Sequence, residues 1–219
     1  MNSPAESNAS QRKFWSEDFG ENYITRNMTM DEVNKLYEKQ TGITVEKIFQ
    51  KFFSNIDKKS SILELGCNVG LNLSALHKMG FSNLHGVEIN KKAIEIAKKN
   101  NPTAEFVNSS IEEFDPKGKK YDLVYTAGVL IHINPSALDE IVKKMIDLTR
   151  EYIFGFEYYS DNLVEVKYRG HSNVCWKQNF PMLFKKMIPS LQTVKEEKFH
   201  YKEENLYDIA YLLRKPHDG

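Results

Sequence analysis

The 219-residue chain has no excess charge, almost no cysteine and no long apolar run. Thirty basic residues are matched by thirty acidic ones. That balance argues against nucleic acid or an anionic membrane as the main partner, and leaves only a local basic patch open. Cys67 and Cys175 are the only cysteines and lie far apart. They offer neither a disulfide framework nor a metal spacing, and His85 and His200 add no ligand spacing either. A reducing cytoplasm and no metal are therefore expected. No run approaches the ~20 apolar residues of a membrane span. The N-terminus is polar, without an apolar signal core. There is no internal repeat and no low-complexity linker. A chain of this size makes one domain, or one domain with an elaboration, and can bury a real core.

What is present is a change of rhythm along the chain. Residues 1–10 are small and polar, which predicts a disordered tail. From Gln11, the aromatics Phe14, Trp15, Phe19 and Tyr23 follow at loosely helical spacing. They predict an arm packed on the domain, a flap over a pocket, or both. Apolar positions from Val33 to Phe53 recur at helical intervals, with Gly42 dividing two helices. Residues 11–56 thus form an N-terminal helical cap. From 57 to 219 strands and helices alternate. Strands are expected at 61–65, 83–88, 104–107, 121–125 and 152–158, with helices at 71–79, 91–99 and 135–148. An irregular insertion is expected at about 159–175, then a helix at 177–188 and two late strands near 191–200 and 205–214. This alternation predicts an α/β fold, a Rossmann-like, mostly parallel sheet with helices on both faces.

The chemistry concentrates at Ser61-Ile62-Leu63-Glu64-Leu65-Gly66-Cys67-Asn68-Val69-Gly70. A short apolar strand meets an acid, then a tight glycine turn, then a helix. Glu88 ends the next apolar run, at the spacing of a carboxylate that holds a ribose diol. A dinucleotide fingerprint would need glycines at 68 and 71, where this chain has Asn68 and Leu71. A nicotinamide oxidoreductase is therefore the weakest reading. An acid beside the turn repels phosphate but suits a cofactor carrying an ammonium and a sulfonium, which is S-adenosylmethionine.

From about residue 43 the order of elements resembles the class I S-adenosylmethionine-dependent methyltransferases. The resemblance implies a seven-stranded sheet with the last strand antiparallel. It places Glu64, Gly66, Cys67, Asn68 and Gly70 at the cofactor's amino-acid tail and Glu88 at the ribose. Ser109, Ser110 and Ile111 fall at the adenine loop, and Ala127 to His132 line the methyl-donor site. Ile89 and Ile111 are expected to sandwich the adenine, or else to belong to the core. Asn68 departs from the common middle glycine, so the turn must accept a side chain. A narrower resemblance, to the pseudaminic acid biosynthesis-associated methylases, rests on three blocks. These are Phe14-Trp15 with Phe19-Gly20, Tyr23 and Arg26-Asn27; Glu64 through Leu73; and Glu157-Tyr158-Tyr159 with Tyr168-Arg169-Gly170-His171. It implies a sugar, nonulosonic-acid or surface-glycan intermediate as the acceptor.

Methyl transfer to a hydroxyl needs a proton acceptor. His132 is one candidate, or else a histidine that orders its loop. His171 is the rival base, or else merely exposed. Tyr168 and Arg169 suit an anionic acceptor, since a guanidinium pairs bidentately with carboxylate or phosphate, though a structural salt bridge would use Arg169 as well. Tyr23 is expected at the cofactor, with Arg26, Asn27, Glu157, Tyr158 and Tyr159 on the acceptor side. The expected activity is therefore O-methylation of a small polar, anionic metabolite by a monomer or homodimer. The alternatives are a cofactor-binding scaffold without turnover, or a methyltransferase acting on protein or RNA.

Overall fold

The computed structural model describes residues 4–24 and 29–216, with backbone alone for 4–8 and 18. Two helices open the chain, α1 (Pro4–Ser16) and α2 (Asp18–Ile24). The first helix starts inside the segment expected to be a disordered tail. Its proline lies in the first turn, where the missing N–H costs no helical bond, and alanine, glutamate and glutamine favour continuation. Next come α3 (Met30–Thr41) and α4 (Val45–Phe53). A capping box opens α3: Thr29 Oγ1 accepts from the Glu32 N–H at 3.3 Å, and Glu32 accepts from the Thr29 N–H at 2.7 Å. Gly42, at φ 92°, closes it with a left-handed cap, and Thr44 caps α4. The two helices and their divide fall where the periodicity places them.

The rest follows the expected alternation. In chain order it comprises β1 (Ile62–Leu65), α5 (Leu71–Lys78), β2 (Leu84–Glu88), α6 (Lys91–Asn100), β3 (Glu105–Asn108), β4 (Tyr121–Ala127), α7 (Leu138–Leu148) and β5 (Thr149–Tyr159). Two short 3₁₀ turns, Leu130–His132 and Pro135–Ala137, join β4 to α7. The insertion after β5 is partly ordered by a small hairpin, β6 (Val164–Glu165) with β7 (Trp176–Lys177). That hairpin delays the next helix, α8 (Phe180–Met187), which Asn179 caps by accepting from the Met182 N–H. The late strands are β8 (Gln192–His200) and β9 (Tyr207–Arg214).

Seven strands form one sheet in the order β3-β2-β1-β4-β5-β9-β8. The pairings from β3 to β5 are parallel, and β9 runs antiparallel to both neighbours. Side-chain alternation splits the core into two layers. Leu63, Val124, Ile153 and Tyr211 point toward α7 and α8 and meet Ile141, Met145, Phe180 and Phe184. Ile62, Tyr125, Phe154 and Leu212 point the other way and meet Ile48, Phe49, Phe53 and Leu76. Phe154 lies 5.0 Å from Phe53 and 5.7 Å from Phe49 between ring centroids, both edge-on. The strand order reverses direction between β1 and β4. Their C-terminal ends therefore diverge, and the crevice that opens there is where open α/β sheets hold ligands.

Candidate active site

The glycine turn after β1 forms the floor of this crevice. Gly66 (φ 74°), Asn68 (φ 47°) and Gly70 (φ 76°) are all left-handed. Asparagine is among the few side-chain residues that tolerate this region, so the turn keeps its shape without a middle glycine. Gly66 also has no room for a side chain, because an added Cβ would lie 2.6 Å from Val129 Cγ2. The Gly66 and Cys67 amides donate to the Val87 carbonyl at 2.8 and 3.0 Å, tying the turn to β2. Glu88 completes the tie. Its Oε2 accepts from the Asn68 N–H at 2.9 Å and its Oε1 from the Asn90 N–H at 2.8 Å. Burial raises its pKa, while those amide bonds pull the other way. Each Glu88 oxygen keeps a lone pair for a ligand diol.

Two cavities meet above this turn. The first, about 170 Å³, is lined by Tyr23, Gly66, Asn68, Glu88, Ile89, Ser109, Ser110, Ile111, Ala127 and His132. All ten are residues singled out in the sequence. The N-terminal helices supply part of the remaining wall, with Arg12, Gly20 and Ile24 among the residues there. Gln11 and Trp15 lie there, and both polar atoms of the Gln11 amide and the Trp15 Nε1 are buried without a hydrogen-bond partner. Orphaned donors and acceptors at a cavity wall fit a polar ligand with complementary groups. The loop after β3 is fixed by Asn108, whose Nδ2 donates to the Glu88 and Ile89 carbonyls at 2.9 and 2.8 Å.

The second cavity, about 320 Å³, shares Tyr23, Gly66, Asn68, Ala127, Gly128 and His132 with the first. Cys67, Glu157, Tyr158 and Tyr168, also singled out in the sequence, line it as well. His132 sits where the two meet. Its ring packs against Trp15 at 4.4 Å and Tyr168 at 4.8 Å. Its Nδ1 lies 2.8 Å from the Val174 carbonyl, which can only accept, so Nδ1 carries the proton and Nε2 is the basic nitrogen. Burial holds its pKa down to about 4. Glu157 holds the segment that carries it. This 2 % exposed carboxylate accepts from the Val129, Leu130 and Ile131 amides at 3.2, 3.2 and 3.4 Å. Burial pushes its pKa up to about 7 against those bonds. Its acceptor capacity is largely spent on backbone, so Glu157 positions the loop more than it offers charge to a ligand.

Other expected residues lie elsewhere. Glu64 lines neither cavity. It is buried on β1, and Asn72, on the wall of the second cavity, donates to its Oε1 at 2.7 Å. Its Oε2 has no geometrically sound partner, although the Tyr125 hydroxyl is close enough to influence its ionisation, and burial raises its pKa to about 8. Gly70 lines neither cavity and serves the turn itself. Tyr159 is occupied at the far end of β5, donating to Asp161 with Lys198 over its ring at 3.7 Å. Arg169 and His171 are exposed at a turn, where the Tyr168 and His171 backbones pair with each other. The Arg169 guanidinium lies 5.5 Å from the Tyr23 ring, and the His171 ring packs on Phe14 and Phe19 at 5.2 and 5.3 Å. Neither lines a cavity, whereas His132 lines both. Arg26 and Asn27 lie outside the described residues.

Sequence reasoning missed Gln11, Tyr37, Tyr201 and Asp208. Only Asp208 carried a signal, as the one charge inside the apolar run of β9. It joins the second cavity through long-range packing with Tyr37 on α3 and Tyr201 before β9.

Comparison with known proteins agrees with this geometry. Residues 62–151 match the model of a methyltransferase domain. No curated protein matches the chain. Among solved structures it is similar to magnesium protoporphyrin IX methyltransferase from Synechocystis PCC 6803, solved with S-adenosylmethionine bound. That pair shares 13 % identity at a TM-score of 0.70, over 99 % of this chain and 100 % of the other. It is also similar to 1,6-didemethyltoxoflavin-N1-methyltransferase from Burkholderia thailandensis, solved with its namesake and S-adenosylhomocysteine (15 % identity, TM-score 0.67, 98 % and 91 % coverage). The plantazolicin methyltransferase BpumL, in complex with S-adenosylhomocysteine, aligns at 16 % identity and a TM-score of 0.67 over 97 % and 96 % of the two chains. The chain has the class I methyltransferase fold, with its glycine turn and Glu88 inside the segment that matches the methyltransferase domain.

Proposed function

We propose that this protein is an S-adenosylmethionine-dependent methyltransferase acting on a small polar metabolite, such as a sugar or a nonulosonic-acid or surface-glycan intermediate, at an oxygen atom. The observation that carries the reading is the pair of cavities sharing one wall at Gly66, Ala127 and His132. A methyl donor in the first and an acceptor in the second would face each other across it. S-adenosylmethionine, when bound, supplies an electrophilic methyl group on a sulfonium that leaves as a neutral thioether.

The protein's own residues do the rest. Gly66 and Asn68, where the two cavities meet, would bring the backbone of the turn close to the donor's amino-acid tail. Glu88 would accept from the ribose hydroxyls, Ser109 to Ile111 would border the adenine, and Gln11 and Trp15 would close the cavity and exclude water. Glu157 holds the 129–131 amides and thereby the position of His132. His132 Nε2 would take up the proton that the acceptor hydroxyl gives up on methylation. Most of the acceleration from such an arrangement is alignment of the two reactants.

The test is transfer of tritium-labelled methyl from S-adenosylmethionine to a panel of sugars, nucleotide sugars and amino metabolites, comparing wild type with His132→Ala. Label entering one acceptor class, reduced about 100-fold or more in the variant, is the expected result. Transfer that is equal in both proteins removes His132 from its role. No label in any pool removes the turnover itself.

A further inference from the structure

The second cavity holds one buried acid that none of this chemistry uses. Asp208, on β9, is 5 % exposed and lines the cavity. Its Oδ2 accepts from the Tyr37 hydroxyl at 2.7 Å and the Tyr201 hydroxyl at 2.9 Å. Its Oδ1 is buried without a hydrogen-bond partner. No ion pair involves it among the described residues. A buried carboxylate without a counter-charge is costly, and here burial raises its pKa to about 7 despite the two tyrosine bonds.

The surroundings make the missing partner chemically specific. Tyr23, Tyr37, Phe156, Tyr158, Tyr168 and Tyr201 line the same cavity. Aromatic faces carry negative potential and attract cations, most strongly once both are desolvated. Glu157 is a second carboxylate on the wall, and no lysine or arginine lines it among the described residues. An anionic ligand would meet Asp208 and a set of ring faces. A protonated amine would meet an acceptor with spare capacity and a complementary aromatic wall.

Building on the methyltransferase reading above, we propose that the second cavity recognises its acceptor through a protonated amine, which seats against Asp208 between the rings of the surrounding tyrosines. The acceptor class narrows accordingly, from small polar metabolites to amine-bearing ones. The amine is the recognition handle. The methyl group still travels to the atom nearest His132.

Calorimetry with three isosteric probes tests this. Benzylammonium, benzyl alcohol and benzoate are titrated into the full chain with and without saturating S-adenosylhomocysteine. Benzylammonium should bind about tenfold or more tighter than the other two. Asp208→Asn keeps an oxygen for the two tyrosine hydroxyls and should erase that preference while S-adenosylhomocysteine still binds, which shows the fold intact. Tyr158→Leu tests the aromatic wall separately and should weaken benzylammonium by about threefold without changing benzyl alcohol. Benzoate binding as well as benzylammonium overturns the proposal, as does a preference that survives Asp208→Asn, or the absence of any probe binding at millimolar concentration. Loss of S-adenosylhomocysteine binding alone, with the ammonium preference intact, would instead count against the methyltransferase reading.

Discussion

Gly66→Ala should damage the site by two separable routes, one local to the backbone and one transmitted to His132. The backbone at Gly66 has φ 74°, so any L-residue there pays for a left-handed conformation, about 1–2 kcal/mol. The new Cβ would also lie 2.6 and 3.0 Å from the two methyl carbons of Val129. Overpacking of that kind adds about 1–3 kcal/mol, for a total of about 2–5 kcal/mol. Val129 cannot yield freely, because its amide is held by Glu157 and its chain leads within three residues to His132. Removing the obstacle separates the routes. Val129→Ala leaves a small void and costs about 1–2 kcal/mol alone. The double variant Gly66→Ala/Val129→Ala relieves the clash but not the φ strain, so it should be about 1–3 kcal/mol more stable than the sum of the single changes predicts. Urea unfolding at constant slope measures all four corners of the cycle. Additivity within about 0.5 kcal/mol would refute the contact between the glycine turn and the loop after β4.

Three further outcomes follow from buried groups. Glu64 has a folded pKa of about 8, above its unfolded value, so its stabilising contribution is fully present in acid below the unfolded pKa and is lost as pH rises toward 8. Wild type should therefore lose stability relative to Glu64→Gln between pH 5 and pH 8, and parallel urea curves across that range would contradict the assignment. His132 runs the other way. Burial holds it neutral down to about pH 4, so its ring proton signal should stay constant through pH 6.5, and Trp15→Ala, by admitting water beside the ring, should move the titration up toward the ordinary histidine range. Glu157→Ala strips three loop amides of their acceptor and should cost about 2–4 kcal/mol in urea unfolding, whereas a loss under 0.5 kcal/mol would mean the loop is held by something else.

The sheet was legible because its signals are local. An apolar run ended by a glycine turn marks β1, capping asparagines and glycines mark helix ends, and two-residue alternation assigns faces. The wall of the first cavity was legible for the same reason, since Gly66, Asn68, Glu88 and Ser109 to Ile111 sit at fixed offsets from strand ends. The Asn68 substitution, which looked like a departure, is accommodated by its left-handed backbone. The second cavity was legible only in part, through Glu157, Tyr158 and Tyr168. Asp208, Tyr37 and Tyr201 come together only when β9 inserts beside β5 and α3 packs over it, a juxtaposition with no sequence periodicity. Arg169 and His171 misled because a chemically attractive tetrapeptide turned out to be an exposed turn resting on the N-terminal aromatics. Tyr159 misled because it lies beyond the cavity, where its hydroxyl is taken by Asp161 and its ring is covered by Lys198.

The central claim is that the glycine turn and Glu88 bind the adenosyl group of a methyl donor. Calorimetric titration with S-adenosylhomocysteine tests it most directly, with NAD as comparison and Glu88→Ala as control. The account predicts saturable one-site binding of S-adenosylhomocysteine, none of NAD, and weakening by about 100-fold in the variant, from loss of two charge-assisted hydrogen bonds. Failure of S-adenosylhomocysteine to bind at millimolar concentration, or unchanged affinity in Glu88→Ala, would contradict it.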